Sequence, residues 1–391
     1  MSKYSYKKKI LILFFSLIDL ILDLFPRKKI ILKQSYQKII VVNLGHWGDL
    51  ILTQPFLEKL RNNFPDAQID ILIGPWSQEI FSDNNYVNEV IIFPFPWYQR
   101  ERERDGDLLN FFRLFKKLKS KKYDLFFDLK GDPLMIFFGF LISIQRRIGY
   151  GNGGLGRLLT DEIELNSNQH QIFNNLDLLK PLHIHYVKDG VKLKWSIKEN
   201  FLIKVGSFFN NNYIKIQNFI IVVHPGAGHP SKIWPEEYWK NLISRLLNIS
   251  QVKIIFIGAK NENQLLNEIT QGIVNDNLIK LLGVDFSFLA AILFKSNLFI
   301  GSDSGPAHLA AAVGLPVVSI FSAANNPRRW QPFTKKLYLF YQDIFCKDCQ
   351  KKNCFNKYCL RSIRPDDVFE AVWQIITTTG IFQNRGLTPK I

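Results

Sequence analysis

The sequence predicts an α/β protein of two halves, each built on a parallel sheet. Short apolar strands alternate with helix-period stretches from Lys38, and the same alternation begins again at Phe219. Between the two sets, over residues 151–212, the rhythm loosens into glycine-, asparagine- and lysine-rich sequence that reads as a hinge. At 391 residues the chain is long enough for two domains with a core each.

In the first half "KIIVVNLG", "QIDILIG", "EVIIFP" and "DLFFDLK" read as strands, separated by helical stretches such as "LILTQPFLEKLRNNF" and "LLNFFRLFKKLKS". In the second, "FIIVVHPGAG", "VKIIFIG", "LIKLLG", "NLFIGSDSG" and "PVVSIF" repeat the pattern. The expected divisions are a basic N-terminal segment, 1–37, a first domain, 38–205, and a second, 213–391. No repeat is visible at the level of sequence.

Composition narrows the partners. A hydrophobic content of 47% excludes a disordered chain, and 50 Lys+Arg against 34 Asp+Glu, a formal charge of +16, favours anionic partners. Nucleic acid, phosphorylated sugar and an acidic membrane face all satisfy that charge. The N-terminal stretch "KKKILILFFSLIDLILDLFPRKK" has an apolar run, Ile10 to Phe25, that is short for a membrane span and is interrupted by Asp19 and Asp23. Ser16, Asp19 and Asp23 fall three and four apart, one polar stripe of a helix, and basic clusters flank the run. The expectation is a helix lying in an anionic headgroup layer. A helix packed on the protein's own surface and a signal peptide are the other readings, the latter disfavoured by the absence of a small-residue cleavage site.

In open parallel sheets ligands sit beyond the carboxyl ends of strands, so the loops there are the candidates for chemistry. In "VVNLGHWGDLILTQP", Gly45 and Gly48 allow close backbone approach and Asp49 sits at a helix N-terminus, facing the cleft expected between the halves. Asp49 is either a general base or a helix cap. In "HPGAGHPSKIWPEEYW", Gly226, Ala227 and Gly228 make an amide-rich turn, followed by Ser231 and the point charge of Lys232, which together suit a pyrophosphate. In "GSDSGPAHLAAAVGLP", Asp303, Ser304 and Gly305 open an alanine-rich helix whose N-terminal amides suit an anion, with His308 one turn in. The glycines of the first of these loops do not spell GxGxxG, and the second is not a Walker loop.

These three blocks, in this order, resemble glycosyltransferase family 9, the ADP-heptose:lipopolysaccharide heptosyltransferases, over roughly Lys38 to Ile376. The resemblance implies a GT-B fold, two Rossmann-like domains with parallel sheets facing across a cleft, the acceptor in the first and the nucleotide-sugar in the second. It implies an inverting transfer without a catalytic metal. Asp49 beside Gly48 would be the base for the acceptor hydroxyl, and Lys232 would neutralise the leaving diphosphate. Asp303 with the amides of Ser304 and Gly305 would contact donor sugar and phosphate. The implied partners are ADP-heptose, a lipid-linked or other glycan acceptor and an anionic membrane surface on the cytoplasmic side, with no nucleic acid. Where many members have Lys-Arg-Trp-Pro, this chain has Lys232-Ile233-Trp234-Pro235.

All four cysteines fall in "CKDCQKKNCFNKYC". Cys346, Cys349, Cys354 and Cys359 have thiolates that would accept zinc or iron in a structural tetrahedral site; two disulfides or four unlinked thiols are the alternatives. Two further functions compete with transfer: a nucleotide-sugar epimerase on the same scaffold, and a non-catalytic peripheral protein that binds anionic glycolipid.

Overall fold

The computed structural model describes residues 9–24, 35–81, 84–95, 108–349 and 351–378. The chain divides into two compact units, Met1–Lys192 and Leu193–Ile391. The first comprises α1 (Lys9–Asp23), β1 (Lys38–Val42), α2 (Trp47–Ile51), α3 (Gln54–Asn63), β2 (Gln68–Ile73), β3 (Glu89–Ile92), α4 (Leu108–Lys121), β4 (Leu125–Asp128), α5 (Pro133–Leu141), β5 (Arg146–Tyr150), β6 (Asp161–Ile163) and α6 (Gln171–Asp177). Residues 151–192 are therefore not a linker. They supply an edge strand and a helix, and the buried Asn175 amide donates to the Leu52 carbonyl at 3.1 Å.

The second unit begins with α7 (Glu199–Asn211) and continues β7 (Phe219–His224), α8 (Glu236–Leu247), β8 (Val252–Gly258), α9 (Asn263–Thr270), β9 (Leu278–Leu282), α10 (Phe286–Phe294), β10 (Leu298–Ser302), α11 (Gly305–Ala312), β11 (Val317–Phe321), α12 (Pro327–Trp330), β12 (Leu337–Tyr341), α13 (Tyr358–Arg361) and α14 (Pro365–Thr378). Helix α7 belongs here because Phe208 packs edge-on against Phe288 of α10, with ring centroids 5.9 Å apart. Upstream of it, the Trp195 amide donates to the Ala312 carbonyl.

Each unit holds, among the described residues, one six-stranded parallel sheet, in the orders β3-β2-β1-β4-β5-β6 and β12-β11-β10-β7-β8-β9. Renumbered within its unit, the second order matches the first, and both have the Rossmann arrangement with a reversal between the first and fourth strands. These are the two Rossmann-like units of the GT-B class. Register fixes what lies at each reversal: Val42 pairs with Asp128, and His224 with Gly301. The central strands are continuous apolar runs because both sheet faces are covered, and every residue of β7 is buried. Trp234 and Trp239 anchor the second core, fully buried with ring centroids 5.2 Å apart and perpendicular.

Helix α1 is packed on the first unit with Asp19 of its polar stripe turned inward, while Asp23 at the end of that stripe stays exposed. Phe15 joins Ile136, Leu155 and Leu159 in a small apolar cluster. The buried Asp19 carboxylate accepts the Leu155 amide at 2.9 Å, and Asp23 pairs with Arg157 at 3.1 Å. The expected basic flanks at Lys7, Lys8 and Arg27–Lys29 lie outside the described residues. No helix among the described residues is long and apolar enough to cross a membrane. Because Asp19 satisfies a buried amide, Asp19→Ala is expected to destabilise the first unit by about 1–3 kcal/mol, read as a lower thermal midpoint; an unchanged midpoint would show that water replaces the carboxylate.

Candidate active site

The site residues stand where the two sheets reverse. In the first unit β1 ends at Val42, and Asn43 shapes the turn beyond it: its side-chain oxygen accepts the Gly45 amide at 2.9 Å and its amide donates to Thr53 at 2.8 Å. The Gly45 carbonyl takes the Trp76 indole N–H at 2.9 Å. A Cβ at Gly45 would come within 2.4 Å of the Asp49 Cβ, so only glycine lets the chain fold this closely over that carboxylate.

Asp49 Oδ2 accepts the His46 amide at 3.0 Å, the capping role that its position in the sequence offers. Its other oxygen, Oδ1, is 2.7 Å from the Lys130 ammonium, which the loop after β4 carries. Cap and ion pair use different oxygens. Burial alone would raise this carboxyl, but the Lys130 charge and hydrogen bond, with the His46 amide, outweigh it and hold Asp49 below the usual carboxylate range. The group is therefore ionised at neutral pH. Its contribution to stability is complete above the unfolded-state pKa and is lost as pH falls through the lowered folded value.

Lys130 is itself placed by Asp128, whose carboxyl oxygens accept the backbone amides of Lys130 at 2.9 Å and Asp132 at 2.7 Å. Lys130→Met should raise the Asp49 carboxyl and move the acid limb of the kcat/KM profile to higher pH, because a base works only when ionised. An acid limb unchanged in the variant would show that Lys130 does not set the charge of Asp49.

The second unit places an equivalent pair at its own reversal. Lys232, after β7, lies 2.7 Å from Asp303 Oδ2, after β10, and Asn325 donates to the same oxygen at 2.7 Å. Both charged side chains are largely shielded from solvent, with 16% and 6% exposed. Ser304 caps α11 by position, yet its hydroxyl makes no cap bond and instead lies 2.9 Å from His224 Nδ1. The other ring nitrogen is 3.2 Å from Glu262 Oε2. A carboxylate only accepts, so Nε2 carries the proton and, in the neutral ring, Nδ1 receives the Ser304 hydroxyl hydrogen. A Cβ at Gly226 would lie 1.9 Å from Glu262, which makes glycine the residue that fits in that turn.

The structure thus joins Lys232, Asp303 and Ser304 in one cluster, with Gly226 beside it and His308 buried in the helix behind. Ser231 is spent elsewhere: its hydroxyl and amide donate to the carbonyls of Lys351 and Lys352, tying the turn to the cysteine-rich segment. Sequence reading missed Lys130, His224, Glu262 and Asn325. The first three stand at or just beyond strand ends, where ligands of open sheets sit, but strand order was needed to bring them to these loops.

The cysteines are four unlinked thiols, one of the three arrangements that their spacing leaves open. None of the four is in a disulfide; Cys359 is buried while the others are half-buried. Among the described residues no group of three or more His, Cys, Asp or Glu side chains is placed to hold a metal ion. The donors suit a soft metal in kind, and their placement does not fit one.

Residues 111–359 match the model of glycosyltransferase family 9 (heptosyltransferase), a span that includes both loops of the second unit's site and begins after Asp49. Lipopolysaccharide heptosyltransferase 3 of Escherichia coli is 27% identical over 350 residues, covering 85% of this chain and 98% of that protein. The structure is similar to that of a family 9 glycosyl transferase from Veillonella parvula, with TM-score 0.72 and 22% identity over 89% and 99% of the two chains. It is also similar to that of the E. coli ADP-heptose lps heptosyltransferase II, with TM-score 0.71 and 19% identity over 88% and 99%. The chain belongs to glycosyltransferase family 9, the heptosyltransferase family, and is a glycosyltransferase.

Proposed function

We propose that the protein transfers a heptosyl group from ADP-heptose to a hydroxyl of a lipopolysaccharide core or related lipid-linked glycan, by a single displacement that inverts the anomeric centre. The carrying observation is the pair of charged contacts, Asp49–Lys130 and Lys232–Asp303, one at each sheet reversal. The family and the names of the relatives support the donor and acceptor classes.

In the first unit Asp49, ionised and held at a strand end, accepts the proton of the acceptor hydroxyl as that oxygen attacks the anomeric carbon. The bond from that carbon to the diphosphate oxygen breaks, and ADP leaves with the electron pair. Lys232 supplies the positive charge for that oxygen, and the backbone amides at Ser304 and Gly305 add oriented dipoles. Asp303 holds the ammonium in position. Asp49 then returns its proton to water. No step is assigned to a metal, because Lys232 provides the charge that the leaving group requires. The basic balance and the apolar N-terminal helix support an address on the cytoplasmic face of an anionic bacterial membrane, where a lipid-linked acceptor is met.

The test is ADP release from ADP-heptose with and without a soluble core-oligosaccharide acceptor. Release that depends on acceptor, with equimolar glycoside formed, is expected. Isomerised sugar without acceptor would make the protein an epimerase instead.

A further inference from the structure

With Asp19 and Phe15 buried against the first unit, α1 leaves an apolar face pointing away from the protein. Leu17, Leu20 and Leu24 form a stripe at helical spacing and are 60%, 64% and 78% exposed. An ordinary surface helix turns its apolar stripe to the core, whereas here a carboxylate, Asp19, is buried and these three leucines are exposed. Helix α5, which shares the small core cluster with α1 through Ile136, repeats the pattern: Leu134, Phe137 and Leu141 lie on one stripe, each 42% exposed. Two helices with outward apolar stripes, secured from behind by one cluster, make a surface of the kind that marks an interaction site.

We propose that these two faces are seated together in the headgroup–acyl boundary of an anionic bilayer, with the first unit on the water side. This rests on the lipid-linked acceptor reading and adds the surface that meets the lipid. Charge selects the occupant. In the sequence, Lys7–Lys9 precede or begin α1 and Arg27–Lys29 follow it, and the whole chain carries +16. A second copy would set like charges against each other, whereas anionic headgroups complement them. Length sets the mode: fifteen helical residues span about 22 Å, short of the ~30 Å hydrocarbon core, so the helix lies along the surface and does not cross. The Asp19 and Arg157 contacts fix the helix on the unit and prevent it from turning its leucines inward.

The experiment compares the full chain with Leu20→Glu and Phe137→Glu, singly and together, none of which touches the candidate site. Co-sedimentation is measured with phosphatidylglycerol-containing vesicles and with neutral phosphatidylcholine vesicles, alongside transfer to a water-soluble acceptor and solution mass. The wild type is expected to bind the anionic vesicles more tightly than the neutral ones. Each substitution is expected to weaken that binding on the order of tenfold, with soluble-acceptor turnover and thermal midpoint retained. Unchanged vesicle binding by the folded double variant would overturn the proposal, as would a wild-type dimer that the substitutions convert to monomer. Absence of soluble-acceptor turnover in the wild type would instead count against the transferase reading, so the two failures are distinguishable.

Discussion

Asp49→Asn is expected to slow heptosyl transfer by about 10²- to 10⁴-fold, the usual cost of removing a general base. Donor affinity should stay within about threefold, since the donor contacts are assigned to the other unit. The asparagine retains the shape and can still accept the His46 amide, but it cannot take a proton. Its amide carries one acceptor oxygen, so it cannot serve both His46 and Lys130 as the carboxylate does. A thermal melt of the variant therefore accompanies the rate, measured in single turnover with acceptor in excess. Near-normal turnover in a folded variant would remove Asp49 from the chemistry and leave it as a helix cap.

Lys232→Ala should act on the donor side. Losing a charge-assisted contact to a diphosphate costs about 1.5–3 kcal/mol, so ADP binding should weaken by roughly 10- to 100-fold and leaving-group departure should slow as well. The same change leaves the Asp303 carboxylate facing the diphosphate with only Asn325 beside it. Asp303→Asn in the Lys232→Ala background should then recover part of the ADP affinity by removing that repulsion. Isothermal titration of ADP reads both effects. Equal affinity in wild type and Lys232→Ala would contradict the role given to Lys232.

Nine of the strands were legible because they read as unbroken or nearly unbroken apolar runs, as strands covered on both faces do, β7 being the clearest. The three that escaped lack that signature. β5 begins with two arginines, and Arg146 can sit in a strand only because Asp161 of β6 pairs with it at 3.1 Å, a partner fifteen residues away. β6 is three residues long, and β12 is an edge strand of half-exposed side chains. The site was legible where a loop announces itself, in the glycines and the capped helix around Asp49, Lys232 and Asp303. It was illegible where residues from separate loops meet: Lys130, across the sheet reversal, is 81 residues from Asp49, and Glu262, beyond the neighbouring β8, is 38 from His224. The helix α1 stripe was visible as a pattern, but which side it faced depended on Leu155 and Arg157, far along the chain. For the cysteines, spacing left metal, disulfides and unlinked thiols open, and among the described residues the four are unlinked and not grouped to hold a metal ion.

In the proposed single displacement Asp49 acts as the base and Lys232 meets the diphosphate. The anomeric configuration of the product tests it most directly, read by NMR from the one-bond carbon–hydrogen coupling of the transferred heptose, starting from ADP-heptose of defined anomer. Complete inversion is expected, accompanied by one ADP per glycoside. Retention of configuration would contradict it, because that outcome needs a covalent or front-face route in which Asp49 does not act as the base for the acceptor.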